Sequence, residues 1–172
     1  MKYETSLKIE KVCAAKNAHR DNSIDAHLDA KSSKLVATNG VSMVVLPVKL
    51  EPGDVSGPVP IAAIAHARKH KALGIKLNES AETAGLTVER LDRGIFPDYK
   101  AILQGLSTDT YTVSVNAKQL YDLAQAIGHD IVRLDIPRDG LSALRVTANP
   151  GKGAQDFAAV GVLMPCRLGL DN

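Results

Sequence analysis

The sequence predicts an α+β fold of antiparallel sheets with the helices grouped on one side, and three observations carry that reading. Segments with helical spacing of apolar residues and segments of strict alternation follow one another along the chain. They recur, with helix starts near residues 6, 59 and 116, a period of about 55 residues. Each repeat has one apolar helix face and too few strands to close a core, so neighbouring repeats must share one.

The elements follow in order. Ser6 is placed to cap a helix through Val12, Ala15 and Ala18. "SIDAHLDA" and "KLVATNGVSMVVLPV" alternate like strands, and Asn39-Gly40 is the preferred pair for a two-residue hairpin turn. "EPGDVSGP" reads as a loop. Pro60 suits the first turn of a helix over "PIAAIAHARKHKAL", with Gly74 as its stop. "GIKLNES", "GLTVERL" and "STDTYTVSV" read as strands. Asn116 caps a helix whose Leu120, Leu123, Ala124 and Ile127 form one stripe, and Gly128 ends it. "DIVRLDI", "ALRVTA" and "AAVGVLMPC" complete the strands. In the last, Val160 to Met164 should pair until Pro165, which has no N–H for a ladder, so that Met164, Cys166 and Leu168 trail over an apolar surface.

Bulk properties narrow the classes. The chain has 172 residues, long enough for one large domain or two small ones. Its formal charge is only +2, so contact with a polyanion must rest on local charge. Cys13 and Cys166 have no metal or disulfide spacing and read as free thiols of a reducing, cytoplasmic setting. No secretory leader is read, and the apolar runs fall short of a membrane span.

Catalytic motifs are absent. His66 and His70 have the i, i+4 spacing of a zinc motif, but Ala67 stands where its glutamate would be and no third ligand is apparent. "NPGKGAQ" lacks the P-loop spacing and reads as a hairpin loop. No enzyme, cofactor or metal is expected. What stands out is charge: Val55 to Asn78 holds no Asp or Glu but contains Arg68, Lys69, Lys71 and Lys76. Such cations suit a helix C-terminus. With Lys8, Lys11, Lys16 and Arg20 of the first helix they also form a surface suited to phosphates. Aromatics are only 3% of the chain, so duplex fits better than single strand.

Three stretches then resemble the bacterial replicative sliding clamp, the β subunit of DNA polymerase III. "KLVATNGVSMVVLPV" is similar to the family's "VATDGHRLA" hairpin, "FPDYKAIL" to its "FPDYRRVLP", and "VGVLMPCRL" to its closing "VMPMRL". "VPIAAIAHARKH" is placed like the second helix of its middle domain. The likeness covers residues 5 to 103 as one whole clamp domain and 108 to 168 as half of another, which divides the chain into 1–103 and 104–172.

The resemblance implies a non-enzymatic clamp fold of about one and a half domains that encircles duplex DNA. Its partners would be DNA polymerase and other proteins carrying clamp-binding peptides, together with a clamp loader. The DNA-facing residues would be Lys8, Lys11, Lys16, Arg20, Arg68, Lys69 and Lys71. The peptide groove would be built from Thr38, Gly40, Val41, Ser42 and Met43 of the hairpin, Pro97 and Ile102 of "FPDYKAIL", and Val162, Met164, Pro165, Cys166 and Arg167 of the tail. Val41 and Ser42 stand where the family has His and Arg, and Cys166 where it has Met, so the groove is less polar and one wall smaller. Three half-units per chain imply self-association through residues 108 to 168, as a dimer at least and a ring of four chains at most. The alternative is an adaptor or competitor that keeps the groove and never encircles DNA.

Overall fold

The computed structural model describes residues 1–14, 21–128, 130–148 and 159–166. The chain divides into two compact units, Met1–Leu106 and Ser107–Asn172. Both are mixed α and β, and every strand pair is antiparallel.

The first unit contains two three-stranded meanders. The first is β1 (Ala26–Asp29), β2 (Lys34–Thr38) and β3 (Met43–Pro47). The second is β5 (Lys76–Leu77), β6 (Ser80–Thr83) and β7 (Leu86–Glu89). Between them come β4 (Gly57–Val59), which pairs with the free side of β1, and helix α1 (Ile61–Lys69). Alternation divides the first sheet into two faces. Leu28 lies opposite Leu35, which lies opposite Leu46, and this row joins Ala63, Ile64 and Ala67 of α1 and Leu77 and Ala81 of the second sheet in one core. His27, Val36 and Val45 form the row on the other face.

The segments that lead into each half lie between the two meanders. Lys2 bridges to Lys49 on one side and Gly74 on the other. Residues 55–59 do the same, with β4 on β1 and the Val55 amide donating to the Leu77 carbonyl at 2.8 Å. Gly74 is needed for this approach, because a Cβ there would stand 2.3 Å from the Met1 carbonyl oxygen. That corrects its reading as a helix stop. The helix ends earlier, at Lys69, and the chain turns through Lys71 at φ 50° to reach Met1.

Other expectations also change. Ser6 caps no helix: its stretch forms a single 3-10 turn, Ile9–Lys11, because its polar groups serve distant contacts. Thr5 donates to the Ala72 carbonyl and Glu10 accepts from Arg68. Ala15 and Ala18 lie outside the described residues. The hairpin is closed by four residues, Asn39 to Ser42, where the Asn39 Oδ1 accepts from the amides of Val41 and Ser42 and only Gly40 has positive φ. Strands β4 and β6 and the short helix α2 (Tyr99–Gln104) were not anticipated.

The second unit repeats the pattern once. Helix α3 (Ala117–Ile127) begins where Asn116 Oδ1 accepts from the amides of Lys118 and Gln119. It ends at Gly128, φ 80°. Strands β8 (Val132–Asp135), β9 (Leu144–Ala148) and β10 (Val160–Leu163) follow in the order β10-β9-β8. The stripe Leu120, Leu123 and Ile127 packs on Leu144, Val146 and Leu163, so it is turned onto its own sheet rather than left open. "STDTYTVSV" forms no strand: Val113 and Val115 pack on this core, and Ser114 accepts one bond from the Cys166 amide at 2.7 Å.

Gly161 sets the helix-to-sheet spacing, since a Cβ there would lie 2.7 Å from Leu123 Cδ1. Gly161→Ala should destabilise the second unit by about 1–3 kcal/mol through overpacking and leave the first unit unaffected. Urea unfolding followed at the Leu144 and Val146 methyls checks this. An unchanged midpoint would show that α3 shifts away at no cost.

Candidate DNA and peptide surfaces

The basic candidates gather around the C-terminal turn of α1. Lys8, Lys11, Lys69 and Lys71 are exposed, and among the described residues none of the four enters an ion pair. Lys16 and Arg20 lie outside the described residues. Arg68 differs from its reading as a phosphate-facing cation. Its Nη2 donates to Glu10 Oε1 at 2.7 Å, a partner 58 positions away that no sequence signal marks. Among the described residues Arg68 Nε and Glu10 Oε2 are buried without a partner, as is the Tyr3 hydroxyl. Burial, and then the charge of Glu10, push that hydroxyl up to about 12. A cavity of about 410 Å³ opens beside the pair, lined by Glu4, Thr5, Ser6, Arg68 and Lys71. The rings of His66 and His70 lie 4.2 Å apart, tilted by 31°. His66 Nε2 lies 3.3 Å from the Ala84 carbonyl oxygen. Among the described residues no group of three or more His, Cys, Asp or Glu is placed to hold a metal ion.

The hairpin candidates sit at one end of β2 and β3. Thr38 is buried, and its hydroxyl donates to the Ser42 carbonyl at 2.8 Å while accepting from the Gly40 amide at 3.0 Å. Met43 is half-buried opposite Thr38. The loop therefore holds a fixed shape and projects Val41, which is 93% exposed. Gly40 and Ser42 are exposed beside it.

The "FPDYK" stretch lies on the same sheet, along β1. Phe96 stacks on His27 with centroids 4.9 Å apart. Burial pushes the His27 imidazole below its ordinary pKa, which favours the neutral ring in the stack. Asp98 caps α2, its Oδ1 accepting from the amides of Lys100 and Ala101. Tyr99 and Lys100 both reach Asp29 at the end of β1, the hydroxyl at 2.8 Å and the ammonium at 2.7 Å. Pro97 is half-buried in this run, and Ile102, 51% exposed, projects from α2. The structure thus puts two of the three predicted groove elements on one sheet, and adds Asp29, which sequence reasoning missed. The Asp-Tyr-Lys run after a proline held a readable cap signal; its partner, 70 positions back, did not.

The tail belongs to the second unit. Leu163 is buried under α3, while Val162 and Met164 on the opposite face are each 63% exposed. Pro165 is half-buried and Cys166 exposed. Arg167 lies outside the described residues. Both cysteines are free; Cys13 is buried, and burial followed by the charges of Asp25 and Glu10 pushes its thiol up to about 12. Among the described residues no helix is long and apolar enough to cross a membrane.

No protein-family model matches the chain, and no curated protein matches it either.

Asp29 generates a pH prediction. The Lys100 ammonium, with the Tyr99 hydroxyl and the Ser32 amide, outweighs burial and holds its carboxyl well below the usual carboxylate range. A carboxylate whose pKa is lower folded than unfolded stabilises the fold fully above its unfolded value of about 4. That contribution drains away as the pH falls below it. Asp29→Asn should therefore cost about 1–2 kcal/mol at pH 7, and the gap to wild type should narrow steadily from pH 4 downward. Equal stabilities at pH 7 would mean the cluster contributes nothing net.

Proposed function

We propose that the chain is a sliding-clamp-like processivity factor: it holds duplex DNA without reading sequence and tethers a polymerase or another replication protein through an apolar peptide groove. The observation that carries the reading is recurrence. A lead segment, a helical turn and a three-stranded antiparallel meander follow one another three times along the chain, twice in the first unit and once in the second. Such a recurrence supports the reading, since a helix followed by an antiparallel meander is what the resemblance to the clamp leads one to expect of each half-unit. The half-units of the first unit interlock through their lead segments. The rigid hairpin loop, the anchored Phe96–Gln104 run and the apolar Val162 and Met164 are the groove elements of that reading. The exposed lysines serve a backbone contact, which needs charge and no base readout. Three half-units per chain call for association through the second unit, where β8 is an edge strand among the described residues.

A second reading has one observation in its favour. Arg68, central to the basic surface, is neutralised by Glu10, which weakens the DNA face and leaves the groove intact. An adaptor that binds clamp-binding peptides without encircling DNA would look like this.

The test uses the full chain. A short peptide with spaced apolar anchors should bind with a Kd on the order of micromolar, and deletion of Met164–Asn172 should abolish this without unfolding the first unit. A labelled duplex should bind at low salt, with Lys69→Glu/Lys71→Glu reducing the salt slope by about two. Light scattering at micromolar concentration should report a dimer or larger. Peptide binding by a monomer that ignores duplex would replace the clamp by the adaptor, and loss of both activities would end both readings.

A further inference from the structure

We propose that Asp29 is the positioning residue of the peptide groove: it seats α2 on the first sheet, and with it Pro97 and Ile102, before any peptide arrives. The role in binding rests on the groove reading above; the seating of α2 does not.

Helix α2 has six residues. A helix that short has no stability of its own, since forming its first turn costs more than its few bonds return. Asp98 caps the turn, and among the described residues its side chain ties it to nothing else. Of its own residues only Tyr99 is buried, while Ile102 and Leu103 are exposed. Its place must therefore come from anchors outside it.

Those anchors are few and unequal. On the upstream side the backbone is pinned by Asn22 Nδ2, which donates to the Ile95 carbonyl at 2.7 Å, and by Arg93 against Asp25 at 3.3 Å. Phe96 adds its stack on His27. From Pro97 onward the side-chain attachments to the sheet converge on one carboxylate. Asp29 Oδ2 accepts from the Tyr99 hydroxyl and the Lys100 ammonium. Its Oδ1 accepts from the Ser32 amide at 3.2 Å, so the β1–β2 turn holds the same carboxylate in place. Charge-assisted bonds of this kind are stronger than neutral ones, and the Asp29 side chain is only 15% exposed. Without it α2 keeps its cap but loses its seat, and a peptide must then pay to order Pro97 and Ile102 as it binds.

Hydrogen exchange and peptide binding on the full chain test this together. Asp29→Asn keeps the shape and removes the charge; Tyr99→Phe removes one bond and leaves the ion pair. In Asp29→Asn, amide exchange of Ile102 to Gly105 should rise about tenfold or more beyond any rise shared by the amides of β1, β2 and β3. The synthetic two-anchor peptide should bind about tenfold more weakly. Tyr99→Phe should fall between this variant and wild type on both readouts. Unchanged exchange in Asp29→Asn would overturn the seating of α2, whatever the peptide does. Raised exchange with undiminished affinity would overturn the positioning role and leave the seating. If the wild type binds no such peptide, the groove reading falls and the positioning role with it, while the exchange data still decide the seating.

Discussion

Neither meander of the first unit can cover its own apolar face, and the seam where the two meet is what the remainder of that unit depends on. Both lead segments lie in it, so the seam is made of backbone, and backbone polar groups taken from water must find partners. Two side chains complete them. Arg90 donates to the carbonyls of Pro58, Asn78 and Val55. Asp54 accepts from the amides of Glu51 and Leu77 and pairs with the Met1 ammonium. Burial pushes the Asp54 carboxyl up; the ammonium and the two amides pull it back further, so it stays below its usual range and charged. Gly57 belongs to the same design. It holds φ 131°, and a Cβ there would stand 3.0 Å from Arg90 Nη2. Buried charges that are fully bonded add little net stability, but removing one partner strands the other. The seam is thus less a source of energy than a condition on which pairing of the halves is allowed.

The second unit shows what happens without a seam. It has one helix and one meander, and only Leu144, Val146 and Leu163 are buried apolar residues among its described positions. No residue of α3 is fully buried. The lead segment, which in the first unit lies between two sheets, here packs Val113 and Val115 on the sheet of its own unit and takes a bond from the Cys166 amide to the Ser114 carbonyl without forming a strand. Covering the exposed face of β10 would complete this unit as the second meander completes the first.

How much of this was legible in the sequence follows from how local each determinant is. Helix α3 was readable because its cap, stripe and terminating glycine lie within a dozen or so consecutive residues. The strands of the hairpin were readable by alternation, but its turn was not: Asn39 spends its side chain on two amides and so widens a two-residue turn to four. The first helix failed because Thr5 and Glu10 are bonded to residues far along the chain, which local propensity cannot register. Strand β4 was hidden in a Pro- and Gly-rich run that pairs only because β1 offers an edge. For the site, the hairpin and the Phe96–Lys100 run were legible as motifs; the carboxylates that control them and the basic surface, Asp29 and Glu10, were not, since each gains its role from a partner at least 58 positions away.

The pairing of Arg68 with Glu10 also bears on what kind of basic surface remains. With the arginine engaged, the exposed candidates among the described residues are all lysines. The two cations differ in how they hold phosphate. Arginine presents a rigid fork that fixes a phosphate in two directions, whereas lysine is a hydrated point charge on a flexible stem. A surface that must recognise one phosphate geometry is better served by the first. A surface that must stay near a duplex while the duplex moves past is better served by the second, because no contact has a preferred register to lose. Under the clamp reading proposed above, a surface of lysines alone would hold a duplex more weakly than one with the arginine free, and without a preferred register.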